Sequence, residues 1–181
     1  MGKLTVRKRY AVRKSKHSEI YKKLEATIGK SAELFKSDMV EVAELSGGEI
    51  VIYLLDKKPH LMEVNGNIFP TLRGAVEKPF DKRRIVVDTG AIPFMVKGAD
   101  LMRPGVLEIS YDVKKDEPVV IVDANHKKPL AIGIALMEAD EMQSAQSGKV
   151  AKNIHYVGDD LWNLEIRITP RFMPRSAERP R

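Results

Sequence analysis

Hydrophobic positions along the 181-residue chain change period several times, and each change marks an element. Near the start, Leu4, Val6 and Tyr10 are interleaved with Arg and Lys, as in an exposed edge strand. From Ser15 to Gly29 the spacing of Ile20, Tyr21, Leu24 and Ile28 is helical, and Gly29 ends it. A further helical turn takes in Ala32 to Phe35. Strand patterns then return over Met39–Leu45 and Glu49–Leu55, joined by Ser46-Gly47-Gly48. His60–Val64 and Asn67–Phe69 flank Asn65-Gly66, a two-residue hairpin turn in which both positions take positive φ. Thr71–Val76 reads as a short helix ending before Pro79. These elements predict a small α+β domain over residues 1–77.

Glu77-Lys78-Pro79-Phe80-Asp81-Lys82-Arg83 is the candidate junction, and its shortness predicts two domains in contact. Beyond it, short apolar runs broken by Pro and Gly predict strands near 84–88, 106–112, 118–123, 130–137 and 150–157, with a last one at 161–168. Asp140–Gln146, stopped by Gly148, predicts a helix. The fold class is α+β, with a mixed β pseudo-barrel over residues 84–168. Residues 169–181 form a basic tail whose three prolines, set among arginines, argue against regular structure.

One stretch, Val87-Asp-Thr-Gly-Ala-Ile-Pro-Phe-Met-Val-Lys-Gly-Ala-Asp-Leu-Met-Arg-Pro-Gly105, combines several local signals. Asp88 or Thr89 can cap a helix, Pro93 suits its first turn, and Gly98 can end it. Ile92, Met95 and Val96 give that helix one apolar face. Lys97 sits in its last turn, and Arg103 opens a turn into Val106–Ile109. With Lys97 and Arg103 both exposed, the stretch makes a backbone-phosphate cradle; a helix–turn–strand corner with solvated charges fits the same letters.

Charge placement sharpens the picture. The first sixteen residues carry seven basic side chains and no acid, and residues 170–181 carry +3, so in a chain of net charge +6 the stretch 17–169 carries −4. Basic ends suit phosphate backbones through counterion release, although solvated, solubilising termini have the same composition. Zero cysteines leave no disulfide framework and no thiolate metal site. No apolar run reaches membrane-spanning length and no signal peptide precedes the first strand, so the expected location is cytoplasmic. Enzyme signatures are thin. Gly158-Asp159-Asp160 lacks a second acidic cluster and reads as a hairpin turn, while His17, His60, His126 and His155 show no ligand spacing. Neither a P-loop, a dinucleotide fingerprint nor a nucleophile elbow occurs. No catalytic residue, cofactor or metal is expected.

Gly-Ala-x-x-Phe-x-x-Lys97-Gly98-Ala99-Asp100-Leu-Met-Arg103-Pro-Gly-Val resembles the core of the PUA domain, and Arg84–Asp88, Pro118–Asp123, Pro129–Gly133 and Gly148–Val150 fall in the corresponding order. Phe69-Pro-Thr-Leu-Arg73, Asn153-Ile-His-Tyr156 and Leu161-Trp162 are similar to the malignant T-cell amplified sequence family of translation re-initiation and recycling factors, in its archaeal form. The resemblance implies a non-catalytic RNA-binding protein of translation, working with tRNA or rRNA, the small ribosomal subunit and a protein partner. A second class is an accessory module for a tRNA- or rRNA-modifying enzyme. A PUA-type surface would use Lys97, Gly98, Ala99, Asp100, Arg103, the strand with Ala131 and Gly133, and Lys149 and Lys152. Arg7 and Arg9 extend the candidate RNA contacts to the first strand. Gly133 serves either a close backbone approach to RNA or the relief of crowding at a barrel corner. RRM-type aromatics are absent, so recognition is expected to rest on RNA shape and backbone.

Overall fold

The alternating strands of the first third of the chain close into one antiparallel sheet. The structure, a computed structural model, describes residues 4–164. Strands β1 (Val6–Ala11), β2 (Val40–Leu45), β3 (Val51–Leu55), β4 (Lys58–Val64) and β5 (Asn67–Pro70) lie in sequence order across this sheet. Asn65 and Gly66 take φ of 52° and 79°, as the hairpin reading requires. Asp56 and Lys57 do the same, at 51° and 69°, and so join β3 directly to β4. That turn carries no glycine, which is why composition did not announce it.

Between β1 and β2, helix α1 (Lys14–Ile28) runs on into a 3-10 segment over Gly29–Phe35. Polar contacts fix this pair of segments: Tyr21 Oη donates to Phe35 O (2.8 Å), and Thr27 Oγ1 donates to Ile68 O of β5 (2.8 Å). Helix α2 (Leu72–Glu77) follows β5 and is capped by Thr71, whose Oγ1 accepts from Gly74 N (3.0 Å) and donates to Pro59 O (2.7 Å).

The second sheet holds β6 (Arg84–Val87), β7 (Leu101–Met102), β8 (Val106–Ile109), β9 (Pro118–Asp123), β10 (Pro129–Ala135) and β11 (Lys149–Tyr156), in the order β7-β11-β10-β9-β6-β8. Among the described residues, only β6 and β9 pair in parallel. Register shifts at Ile132/Gly133 and Pro129/Ala131 break the ladders of β10, the kind of irregularity that lets a sheet curl. Strands β6, β9 and β10 of this sheet are buried on both faces. Ile85, Val87, Val119, Ile121 and Ala131 pack into its own core, while their neighbours Val86, Val120, Val122, Ile132 and Ile134 enter the core of the first sheet and α1. Alternate residues thus serve different cores, and the strands read as unbroken apolar runs.

The junction is anchored at both ends. Phe80 packs edge-on against Phe35 and Phe69, with centroids 6.4 and 5.7 Å apart. Arg83, only 2% exposed, donates from Nη1 to Glu117 Oε1 (2.8 Å) and from Nη2 to Ala26 O of α1 (3.2 Å). Its backbone N donates to Asp112 Oδ1 (3.0 Å).

Two strand readings are corrected. The run 106–112 stops at Ile109, where Ser110 and Asp112 enter a turn. The strand expected at 161–168 is instead a helical turn over 160–164, with the remainder outside the described residues. Asp159 causes it: its carboxylate accepts from Trp162 N (2.8 Å) and its carbonyl from Asn163 N (3.0 Å), so the segment is capped into a helix. Helix α3 (Ile92–Met95) forms within the stretch expected to be helical. Helix α4 (Ala139–Ser144) starts one residue before its expected position and is closed by a capping box from Glu138 and Glu141. The arginine-rich tail lies outside the described residues.

Candidate nucleic-acid interface

Asp88 begins the site by accepting from Ala91 N (3.0 Å), which caps a 3-10 turn over Thr89–Ala91 that runs into α3. Met95 is buried, and Ile92 and Val96 pack beside it on the second core. Phe94, off that stripe, is 61% exposed. The chain then turns at Gly98, where φ is 90° and a Cβ would stand 2.7 Å from the Tyr156 ring. Only glycine lets the loop lie on that ring.

Strand β11 holds the loop in place. Asn153 Nδ2 donates to Met95 O (3.0 Å) and Ala99 O (3.1 Å), and Asn153 N donates to Asp100 Oδ1 (3.0 Å). Lys149 Nζ reaches Asp100 Oδ2 at 3.1 Å. Partial burial would raise the Asp100 carboxyl. The Asn153 N–H, the Lys149 ammonium and the charge of Lys152 outweigh it and hold the group below the usual carboxylate range. Asp100 is therefore an ionised tie between loop and strand. Between α3 and the β7 segment opens a groove of about 610 Å³, lined by Ala91, Phe94, Met102, Pro104, Gly105 and Lys149. Its walls are mainly apolar carbon, and the charged residues at its edge are Lys149, Asp88 and Asp100.

Among the residues singled out from sequence, Lys97, Gly98, Ala99, Asp100 and Lys149 gather around this loop, with Lys152 farther along the same strand. Lys97, Lys149 and Lys152 are exposed. Arg103 departs from its expected exposure. Its guanidinium is turned inward, donating from Nε to Met142 O (2.7 Å), from Nη1 to Val106 O (3.2 Å) and from Nη2 to Gln143 O (3.3 Å). It satisfies carbonyls at the end of α4, which that short helix leaves open. Ala131 and Gly133 are buried rather than surface groups. A Cβ on Gly133 would stand 2.9 Å from Lys152 O, so the glycine relieves crowding between β10 and β11 at the register shift. Arg9, with a side chain 7% exposed, donates through Nε and Nη2 to Glu41, both at 2.9 Å. Arg7 is exposed on β1, in the other sheet.

Sequence reasoning missed Phe94 and Met102, the latter 45% exposed. A signal existed for each. Phe94 falls off the Ile92–Met95–Val96 stripe, and Met102 alternates with the buried Leu101. His155 is buried, as a packed residue should be, and its Nδ1 lies 2.9 Å from Asp159 Oδ2.

Residues 83–157 match the family model of the PUA domain. Over 163 residues the chain is 40% identical to the uncharacterized protein MJ1432 of Methanocaldococcus jannaschii, covering 90% of this chain and 99% of that one. Translation machinery-associated protein 20 of Eremothecium gossypii is 31% identical over 159 residues, 84% of this chain and 86% of the relative. Malignant T-cell-amplified sequence 1 of Danio rerio is 33% identical over 103 residues, 55% of this chain and 57% of the relative. Among solved structures, hypothetical protein PH0734.1 of Pyrococcus horikoshii is 31% identical, with a TM-score of 0.79 over 87% of this chain and 99% of that one. A PUA domain protein of Aeropyrum pernix, at 23% identity, shares the fold with a TM-score of 0.76 over 91% of this chain and 94% of its own. By fold, by the matched domain and by these relatives, the chain belongs to the PUA-domain family of the translation machinery-associated protein 20 and malignant T-cell-amplified sequence proteins.

Proposed function

We propose that the chain is a non-catalytic RNA-binding protein of the translation machinery, acting with tRNA or the small ribosomal subunit in initiation, re-initiation or recycling. The observation that carries this reading is the apolar groove rimmed by Lys149, with Lys97 exposed on the adjoining loop and Lys152 on the same strand. Two acids also line the groove, Asp88 as a cap and Asp100 as a loop tie paired with Lys149, so the phosphate-facing charge comes from the exposed Lys97 and Lys152 beside it and from the solvent-facing side of Lys149. Lys97, Lys149 and Lys152 take phosphates, and the backbone of Gly98 and Ala99 permits close approach. Phe94 and Met102 offer a base or ribose an apolar bed. Arg103, Ala131 and Gly133 support this surface from beneath. The name of one relative, translation machinery-associated protein 20 of Eremothecium gossypii, points to translation, which favours this reading over an accessory module of a modifying enzyme.

Cosedimentation with small ribosomal subunits tests the reading. The wild-type chain is expected in the subunit fraction, and Lys97→Glu combined with Lys149→Gln should weaken binding about a hundredfold or more, since each charged hydrogen bond is worth roughly 1.5–3 kcal/mol. A double variant with unchanged melting temperature and undiminished binding would remove the groove from consideration.

A further inference from the structure

We propose a second RNA-contacting face on the first sheet, in the cleft between the end of β1 and the start of α1. It rests on the RNA-binding reading above but uses none of the groove residues. Arg7, Lys8, Arg13, Lys14 and Lys16 are all exposed, and no acidic residue occurs before Glu19. The cleft, about 370 Å³, is bounded by Tyr10, Arg13, Lys16, Val42 and Tyr53. Tyr10, Val42 and Tyr53 form one cross-strand row, because Tyr10 pairs with Val42 and Val42 with Tyr53. Helix α1 packs against β5 at the far side of the sheet, and the β1 end of the row is left open. Tyr10 there is 43% exposed, with the Lys8 ammonium 5.1 Å from its ring centroid.

Cations flanking an exposed aromatic ring suit a single strand of RNA, whose phosphates meet the cations while a base stacks on the ring. The acids nearby are Glu19, which lines the cleft, Glu44, opposite Lys8 in the β1–β2 ladder, and Glu63, and the five exposed cations outnumber them. Glu19 meets Lys16 at 3.6 Å in a pair that is more than half exposed on both sides, so a phosphate can displace it cheaply. Glu63 is held by Tyr53 Oη (2.7 Å) and Lys23 (3.3 Å). Because the two sheets share a core and Arg83 ties α1 to the second, this face and the groove are held in a fixed relation to each other.

The test is fluorescence anisotropy of the full chain with fluorescein-labelled poly(U) across a salt series. Arg13→Gln with Lys16→Gln should lower the slope of log affinity against log salt by about 1.4, from roughly 0.7 per phosphate contact on a single strand. Tyr10→Ala should weaken binding roughly five- to a hundredfold, the range of one base–aromatic stack, and leave the slope unchanged. Both effects should persist in the Lys97→Glu, Lys149→Gln background. An unchanged slope in the first variant, or unchanged affinity in the second, overturns the proposal. So does displacement of the RNA by poly-glutamate as readily as by unlabelled poly(U), which would mark a face for acidic protein. Wild-type failure on poly(U) with subunit cosedimentation intact overturns this face alone; failure of both removes the RNA reading itself.

Discussion

The junction around Arg83 and the rim of the groove both pair a cation with carboxylates, to opposite ends. At the junction, one guanidinium is buried among Glu117, Asp112 and the Ala26 carbonyl. At the rim, Lys149 meets Asp100 with its side chain 60% exposed. Burial commits a charge to its partners, because any vacancy leaves a desolvated group behind. Exposure leaves the charge available, since an ion pair in water is worth about 0–1 kcal/mol and exchanges readily. Arg103 belongs with Arg83 in this division although it adjoins the groove. The pins are arginines, whose fork of donors suits several buried acceptors at once, and the exposed cations at the groove are lysines, so residue type and surroundings act together.

The largest effect should come from the pin. Arg83→Ala strips Glu117 and Asp112 of their buried partner and frees the Ala26 carbonyl, at a cost of about 3 kcal/mol or more. Urea denaturation should show a lower midpoint, and RNA affinity measured well below that midpoint should be near wild type. Preserved stability would mean that the junction is held by Phe80 and the apolar core alone.

A smaller effect should separate two carboxylates. Burial would raise Asp159, but the hydrogen bond and charge of His155 and the N–H groups of Trp162 and Tyr156 lower it on balance. A folded-state value below the unfolded one gives stability that is present above the unfolded value and lost as pH falls through the folded one. Asp159→Asn should therefore flatten the acid limb of the stability profile. Asp100→Asn should flatten it less, as that side chain is 29% exposed against 12% for Asp159. Thermal melts at stepped pH through the carboxylate range measure both, and equal flattening would erase the contrast between a buried carboxylate and one at the rim.

The smallest stability effect belongs to the rim itself. Lys149→Gln should change stability by no more than about 1 kcal/mol while reducing RNA affinity about tenfold, the value of one charged contact. A large loss of stability with no loss of binding would make Lys149 a structural tie like Arg83.

How much could be read in advance varied with the range of the interactions. Asn65-Gly66, the cap at Asp88 and the helical spacing of Ile20, Tyr21, Leu24 and Ile28 are local, and each produced the element it implied. The Asp56–Lys57 turn escaped because it depends on β3 and β4 pairing rather than on turn-forming composition. Leu161-Trp162 has a strand-like appearance, yet Asp159 caps it into a helical turn whose Trp162 ring lies under the Arg73 guanidinium, 3.8 Å from its centroid. For the candidate site, Lys97, Gly98, Asp100 and Lys149 were legible as one loop and its facing strand. The exposed Phe94 was hidden by its resemblance to core.

By itself, then, the sequence determined the α+β class, the strand and helix periods of most elements, the capped loop and the basic character of the first sixteen residues. All of these follow from contacts within a few positions, where chain connectivity already brings the groups together. Tertiary structure alone decided which cations stay in solvent, sending Arg9 to Glu41, Arg83 to Glu117 and Arg103 to the end of α4, while Lys97, Lys149 and Lys152 remain outside. It also decided that alternate residues of the second sheet serve two cores. Partners 30 or more positions away settle such questions, and no local pattern carries their location.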